Sequence, residues 1–120
     1  MTMSEDSIRG ALSNARTIVL KVGSALLSDP SSGLAHDLMA QWCAEIDELM
    51  SAGKRVLLVT SGAVAEGISR LGLQQRPESI HELQAAAAVG QMGLVQAYEQ
   101  AFSAHERHTA MVLLTHDDLA

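Results

Sequence analysis

The chain has 120 residues, enough for one domain with a hydrophobic core and too few for two ordinary domains. Its 48% hydrophobic content predicts a globular fold, and its net charge of -6 offers no basic surface for nucleic acid or an anionic membrane. The lone Cys43 excludes an internal disulfide and a cysteine-based zinc site, and its helical surroundings predict a small buried hydrophobe. Without a recognisable signal peptide or membrane-spanning stretch, a cytoplasmic location is expected.

The first third of the chain predicts a leader, a strand, a loop and a helix. Residues 1–15 are polar and mixed in charge, which predicts a flexible or weakly helical leader ahead of a domain at 16–120. The β-branched run from Thr17 to Val22 predicts a strand, and residues 28–33 have the composition of a loop. Apolar residues at helical spacing predict a helix from Ala35 to Ala52, ended by a glycine.

The rest of the chain predicts two strands and two helices, at Arg55–Val59, Ala63 to about Leu71, Ile80–Ala104 and Thr109–Leu114. This order predicts an α/β fold with parallel strands and helices on both faces of the sheet. The continuous apolar run of the second strand is expected to be covered on both faces. Since the order stops just after a third strand, the chain is expected to be the first half of a larger domain.

Lys21 lies at the end of the first predicted strand, where burial of an unpaired ammonium would be costly. An anion at the carboxyl end of the sheet would explain it, whereas a side chain extended into solvent would need no ligand. Two turns with glycine and hydroxyl groups follow the first two strands, at Gly23-Ser24 and at Ser61-Gly62-Ala63. Such turns favour a phosphate, although ordinary strand-to-helix turns also use these residues. Together with Lys21 they predict a phosphoryl-transfer site.

The common nucleotide-binding patterns are absent, since no Walker sequence and no Gly-x-Gly-x-x-Gly occurs. Gly90 and Gly93 fall in a helical region and predict close helix packing. The alanines at 85–88, with Met92, Leu94 and Val95, are predicted to be core, with a subunit contact as the alternative. Glu66 is predicted on a solvated helix face.

Three histidines and two aspartates near the end of the chain have side chains that can bind metal ions: His105, His108, His116, Asp117 and Asp118. A zinc site needs three or four convergent ligands, and magnesium usually also needs substrate phosphates. These residues are therefore predicted to be solvated, and no metal ligand is assigned.

Four segments of the chain resemble the glutamate 5-kinase branch of the amino acid kinase superfamily. They are residues 21–27 (KVGSALL), 59–67 (VTSGAVAEG), 84–91 (QAAAAVGQ) and 113–119 (LLTHDDL). Their order and spacing match over about residues 16–120, and acetylglutamate kinases typically carry a glycine pair in the second segment instead. The resemblance implies a three-layer sandwich with a mainly parallel sheet, the amino acid kinase fold, here reduced to about its N-terminal half.

The resemblance also implies an activity, the transfer of the ATP γ-phosphoryl group, with Mg²⁺, to the side-chain carboxylate of L-glutamate in the first step of proline biosynthesis. Lys21 would contact ATP phosphates and stabilise charge, with Gly23 and Ser24 in the phosphate-binding turn. Ser61 would bind glutamate, and the backbone of Gly62 and Ala63 would line the same pocket. Proline is the implied feedback inhibitor, and a homo-oligomer is the implied assembly.

The family's remaining glutamate ligands, its base pocket and a second phosphate-binding lysine lie on later segments that these 120 residues do not contain. Many members also add a C-terminal RNA-binding-like module. Two other functions therefore stay open. One is a non-catalytic fragment that binds an anion or assembles with a partner, and the other is a sibling kinase acting on another carboxylate or a phosphate.

Overall fold

The computed structural model describes residues 3–29, 33–114 and 117–120. In chain order these residues form α1 (Glu5–Asn14), β1 (Thr17–Val22), α2 (Ser24–Leu27), β2 (Ser28–Asp29), β3 (Gly33–Leu34), α3 (His36–Ser51), β4 (Arg55–Thr60), α4 (Ala63–Leu71), α5 (Ile80–Ser103) and a final 3₁₀ turn (Asp117–Leu119). The predicted α/β class is confirmed, and the three longer predicted helices occur within a residue or two of their expected bounds. No helix in the described part of the chain is both long and apolar enough to cross a membrane.

Helix ends follow local chemistry. Gly53, expected to end α3, has a φ of 88°, a left-handed conformation that glycine adopts without strain. Ser79 caps the start of α5, and its Oγ accepts a hydrogen bond from the Glu82 backbone N–H at 3.2 Å. The same hydroxyl donates to the Glu82 carboxylate at 2.8 Å, so one serine satisfies a free helix N–H and orients an acidic side chain near the positive helix end.

The sheet consists of β1 and β4, which pair in parallel. The register aligns Thr17 with Arg55 at one end and Val22 with Thr60 at the other. Side chains alternate between the two faces, as the pleat requires. One face carries Leu20, Val22, Val56 and Leu58, and it packs against the hydrophobic core.

The core lies between that face of the sheet and helices α3 and α5. Its buried members are Leu27, Leu34, Met39, Cys43, Ile46, Leu94, Ala97, Tyr98 and Phe102. Cys43 is fully buried, which confirms its predicted role, and burial raises the pKa of its thiol to about 11. The thiol therefore stays protonated and packs as an apolar group.

The opposite face of the sheet is open in the described part of the chain. Val19, Leu57 and Val59 are 61%, 58% and 50% exposed. The expectation that the second strand is covered on both faces is therefore wrong for these residues. A continuous apolar strand needs a cover on each face, and the described helices supply only one.

The predicted third strand at Thr109–Leu114 is also wrong, because these residues form no strand. They run beside α5, where the backbone N–H and the hydroxyl of Thr109 both donate to the Glu99 carboxylate. Nearer the start of α5, the Gln91 Nε2 atom lies 2.8 Å from Met111 Sδ. Side-chain contacts to α5 thus replace the ladder hydrogen bonds that a strand would need.

The two ends of the predicted loop at 28–33 form a short antiparallel pair, in which Ser28 aligns with Leu34 and Asp29 with Gly33. Residues 30–32 lie outside the described residues. The leader contains the helix α1, which has no buried residue. Lys54 Nζ donates to the carbonyls of Ser13 and Ala15, both at 2.7 Å, and so ties the end of this helix to the turn before β4.

Helices α4 and α5 pack backbone to backbone. A β-carbon on Gly90 would collide with the Ala63 carbonyl, and one on Gly67 would collide with the Ala86 carbonyl. This confirms the close packing predicted at Gly90. Of the alanine run only Ala86 is buried.

Further along α5, Leu94 is buried as predicted, whereas Met92 is 74% exposed and its predicted place in the core is wrong. Met92 instead lines a shallow surface groove of about 580 Å³ between α5 and Met111.

Candidate functional site

The two glycine-containing turns lie side by side at the carboxyl edge of the sheet. Gly23 and Ser24 follow β1, while Ser61 and Gly62 follow β4 and lead into α4. A β-carbon on Gly62 would lie 3.9 Å from Ser24 Cα and 3.5 Å from Leu27 Cδ1, so little more than one carbon atom would fit between Gly62 and α2. Gly62 has a φ of 114°, which places it in the region that favours glycine.

Leu27 explains why the turns meet. It is fully buried at the end of α2, where its carbonyl accepts a hydrogen bond from the Ala35 N–H at 2.8 Å. Its side chain lies under Gly62 and anchors α2 to the core. Sequence reasoning missed this short helix, because four residues are too few to show a helical period.

Lys21 occupies the penultimate position of β1 and aligns with Val59 of β4. Its side chain is exposed on the open face of the sheet, which also carries Val19 and Val59. The expected burial of Lys21 is therefore wrong, because no described residue covers this face. Lys21 nevertheless lies beside both turns, and its ammonium places a positive charge at the carboxyl edge of the sheet.

Ser61 is held through its backbone. Its N–H donates to the Val22 carbonyl at 3.3 Å, and its own carbonyl accepts from Thr60 Oγ1 at 3.2 Å. Thr60 Oγ1 also lies 3.3 Å from the hydroxyl of Tyr98, which reaches the strand end from α5. Ser61 itself is exposed, so its side chain faces solvent at the edge of the sheet.

Sequence reasoning did not find Thr60 or Tyr98. A threonine that ends an apolar strand just before a glycine turn was a usable signal for Thr60. Nothing in the spacing of α5 shows that a tyrosine 38 positions away reaches this turn. Burial raises the pKa of the Tyr98 phenol, and the hydrogen bond between Tyr98 and Thr60 offsets part of that effect. Tyr98 is therefore a neutral donor near neutral pH.

Glu66, predicted on a solvated face, is 8% exposed, and that prediction is wrong. Its Oε1 accepts a hydrogen bond from Arg70 Nε at 2.7 Å, one helical turn further along α4. A buried carboxylate requires such a partner. The Arg70 guanidinium in turn lies over Gly93, where a β-carbon would come within 2.6 Å of Nη2. Gly93 thus makes room for the cation.

The described residues contain no group of three or more side chains arranged to hold a metal ion. His105 Nδ1 lies 3.5 Å from Asp47, and His108 Nδ1 lies 3.4 Å from Glu99, so the two histidines belong to separate pairs. His116 lies outside the described residues. The turns at the carboxyl edge carry no carboxylate, so a magnesium ion would depend there on the phosphates of a nucleotide.

The six predicted site residues share this edge: Lys21, Gly23, Ser24, Ser61, Gly62 and Ala63. Their roles toward ligands stay predictions. Chemically, the arrangement offers one ammonium, exposed hydroxyls on two turns, and backbone N–H groups at the start of α4 that have no partner within the helix. It suits two anions that meet between adjacent strand ends.

Several known proteins and one protein-family model match this chain. The chain is 59% identical over 113 residues to the glutamate 5-kinase of Aromatoleum aromaticum, 54% over 113 residues to that of Nitrosospira multiformis and 56% over 114 residues to that of Ralstonia nicotianae. The matches cover 94–95% of this chain and 30% of each relative, so it spans about a third of their length. The model of the amino acid kinase family matches residues 16–119. The chain belongs to the amino acid kinase family.

Proposed function

We propose that this chain supplies one phosphate-binding turn and the acceptor-binding turn of a glutamate 5-kinase. The observation that carries the proposal is the close approach of the two turns at the ends of adjacent parallel strands, with Lys21 beside them. Relatives named glutamate 5-kinase, at 53–59% identity, support L-glutamate and ATP as the substrates. The proposed reaction is the ATP-dependent phosphorylation of L-glutamate, the first step of proline biosynthesis.

In the proposed reaction an oxygen of the glutamate side-chain carboxylate attacks the γ-phosphorus of ATP. A carboxylate O–P bond forms and the bond from the γ-phosphorus to the β,γ-bridging oxygen breaks, so ADP leaves with the electron pair. Both reactants are anions, and their repulsion is the main obstacle to approach. Lys21 would contact the phosphates, where a charge pair at 4 Å is worth about 1 kcal/mol in water and about 4 kcal/mol at an effective dielectric constant of 20. An exposed Lys21 therefore acts strongly only when the bound ligands exclude water.

The two turns divide the binding work in this proposal. Gly23 and Ser24 would approach the phosphates, since a glycine lets the backbone come close. The Ser61 hydroxyl would bind glutamate, and the backbone N–H groups of Gly62 and Ala63 would line the same pocket at the positive end of α4. Mg²⁺ supplies charge neutralisation when bound, and it would arrive on the ATP phosphates.

The proposal has three further parts that follow from the resemblance. They are proline as feedback inhibitor, a homo-oligomer, and residues 16–120 as part of one kinase domain behind the leader. A cytoplasmic location is proposed because the lone buried Cys43 fits a compartment where thiols stay reduced.

The test uses a chimera, defined as the Aromatoleum aromaticum glutamate 5-kinase in which this chain replaces the matching segment. Lys21→Ala is expected to lower kcat by about 100-fold, the scale of removing one group that stabilises transition-state charge, with the KM for glutamate within about threefold. Ser61→Ala is expected to raise that KM by about tenfold.

Lys54→Ala is the matched control, because Lys54 is the only other lysine and binds carbonyls at the amino end of the sheet. It should leave kcat unchanged. A chimera with Lys21 intact that makes no glutamyl phosphate would refute the proposed function. Equal losses in kcat and glutamate binding for Lys21→Ala would instead assign Lys21 a structural role.

A further inference from the structure

We infer that Tyr98 is a positioning residue for Ser61 and acts through the hydroxyl of Thr60. This inference rests on the proposed function, because it assigns a purpose to fixing the turn that would bind glutamate. The proposed function assigns neither Tyr98 nor Thr60 a contact with a ligand. Their effect would pass through the backbone of the residue that does.

Counting protons sets the direction of the chain of hydrogen bonds. A threonine hydroxyl has one hydrogen, and Thr60 Oγ1 lies 3.2 Å from the Ser61 carbonyl, which can only accept. Thr60 therefore donates to Ser61. With that hydrogen used, we assign the Tyr98 hydroxyl, 3.3 Å from the same Oγ1, as the donor to Thr60. The order is Tyr98 to Thr60 to the Ser61 carbonyl.

The second backbone group of Ser61 is fixed from the other side. Its N–H donates to the Val22 carbonyl of β1 at 3.3 Å. Both polar groups of its backbone are therefore engaged, one by the neighbouring strand and one by Thr60. A residue held in this way keeps its Cα–Cβ direction, and so its exposed hydroxyl emerges at one defined place on the sheet edge.

Tyr98 is suited to the role because it cannot easily move. It is 6% exposed and belongs to the buried core cluster together with Leu94 and Phe102, its neighbours one turn away on α5. The ring is thus fixed by packing, while its hydroxyl reaches the end of β4. Because the ring is rigid, the position of α5 determines where the Tyr98 hydroxyl meets Thr60.

Two substitutions separate this role from packing. Tyr98→Phe removes one oxygen and keeps the ring, and Thr60→Val removes the hydroxyl and keeps the branched shape. Thr60→Ser restores the hydroxyl and should rescue the effect. Ser103→Ala is the matched control, since it deletes a hydroxyl on α5 that bonds only the Gln100 carbonyl at 2.8 Å among the described contacts.

The first measurement is amide hydrogen exchange of Ser61 in the 120-residue chain. Thr60→Val should speed exchange at Ser61 by about tenfold relative to the Leu57 amide within β4, the scale of one lost hydrogen bond. Tyr98→Phe should speed it by about threefold, because the bond from Thr60 to Ser61 remains. Uniform acceleration at both amides would indicate lost global stability, and it would overturn the inference.

The second measurement is kinetic and uses the chimera. Thr60→Val should raise the KM for glutamate by about tenfold and Tyr98→Phe by about threefold, with kcat within about twofold of the parent. Thr60→Ser and Ser103→Ala should match the parent. An unchanged KM in both Thr60→Val and Tyr98→Phe would overturn the inference. If Thr60→Val lowers Ser61 protection locally in the 120-residue chain while the unsubstituted chimera makes no glutamyl phosphate, the linkage is supported and the proposed function is refuted, so the two failures are distinguishable.

Discussion

Gly90→Ala is expected to destabilise the chain even though alanine is the better helix former. A β-carbon at Gly90 would lie 2.8 Å from the Ala63 carbonyl carbon and closer still to its oxygen, whereas ordinary contacts are 3.4–4 Å. The carbonyl carbon alone would have to retreat by 0.6 Å, the difference between 3.4 and 2.8 Å, and the carbonyl oxygen, which lies closer to the added carbon, requires a larger displacement. Because the obstacle is backbone, no side-chain rotation can relieve it, and α4 has to move as a unit.

The magnitude is the difference of two effects. Overpacking of this kind costs about 3 kcal/mol at the upper end of its usual range. Replacing glycine within a helix returns about 1 kcal/mol. The expected net loss is about 2 kcal/mol, measured by urea unfolding of the 120-residue chain followed by circular dichroism and by the melting temperature of the chimera.

Gly10→Ala is the matched control, because Gly10 lies inside α1 with no atom within 4 Å of the added carbon. It should stabilise α1 by about 0.5–1 kcal/mol. The same chemical change is thus expected to have opposite signs at the two positions. A Gly90→Ala chain as stable as the parent would refute the account of α4–α5 packing.

Three further outcomes are expected. Arg70→Ala should lower the free energy of unfolding by about 1–3 kcal/mol, because it leaves the Glu66 carboxylate buried without its cation. Adding Glu66→Gln should recover part of that loss in urea unfolding, and no recovery would contradict the ion-pair account. The Thr109 hydroxyl and N–H, followed by His108, hold the pKa of Glu99 below its ordinary value of 4.5, so this contact contributes fully above pH 4.5 and is lost as the pH falls through the lower folded pKa. The Thr109 amide NMR signal should therefore titrate with a midpoint below 4.5 and should lose that titration in Glu99→Gln; a midpoint at or above 4.5 would count against the contact. Leu57→Glu, on the open face, should change the free energy of unfolding by less than about 0.5 kcal/mol and reduce self-association in light scattering. Leu58→Glu, on the core face, should unfold the chain, and equal losses of stability in the two variants would mean that the sheet is covered on both faces.

The helices were predictable because their signals are local. Apolar spacing, a serine at the start of α5 and Gly53 at the end of α3 act within a few residues of the helix itself. The closeness of the two turns was also predictable, since parallel strands bring their carboxyl ends to one edge. These parts of the fold depend on short-range chemistry and on a general rule of topology.

The errors arose where a residue's state depends on a distant partner. The run Thr109–Leu114 has strand composition, but the Glu99 carboxylate of α5 takes the Thr109 N–H that a neighbouring strand would need. Glu66 looked solvated because no sequence pattern reveals that its helix packs against α5. Lys21 looked buried because an apolar strand predicts a cover on both faces, and a strand's own sequence does not identify what covers it.

The backbone contact between Ala63 and Gly90 also determines how the two walls of the site can move. The wall that carries Ser61 begins α4 and is joined to α5 without an intervening side chain, so it travels with the longest helix of the chain. The wall that carries Ser24 contains the four-residue α2, and a β-carbon on Gly62 would lie 3.5 Å from Leu27 Cδ1 and 3.9 Å from Ser24 Cα. Backbone packing therefore ties the Ser61 wall to α5, whereas the buried Leu27 side chain ties the Ser24 wall to the core.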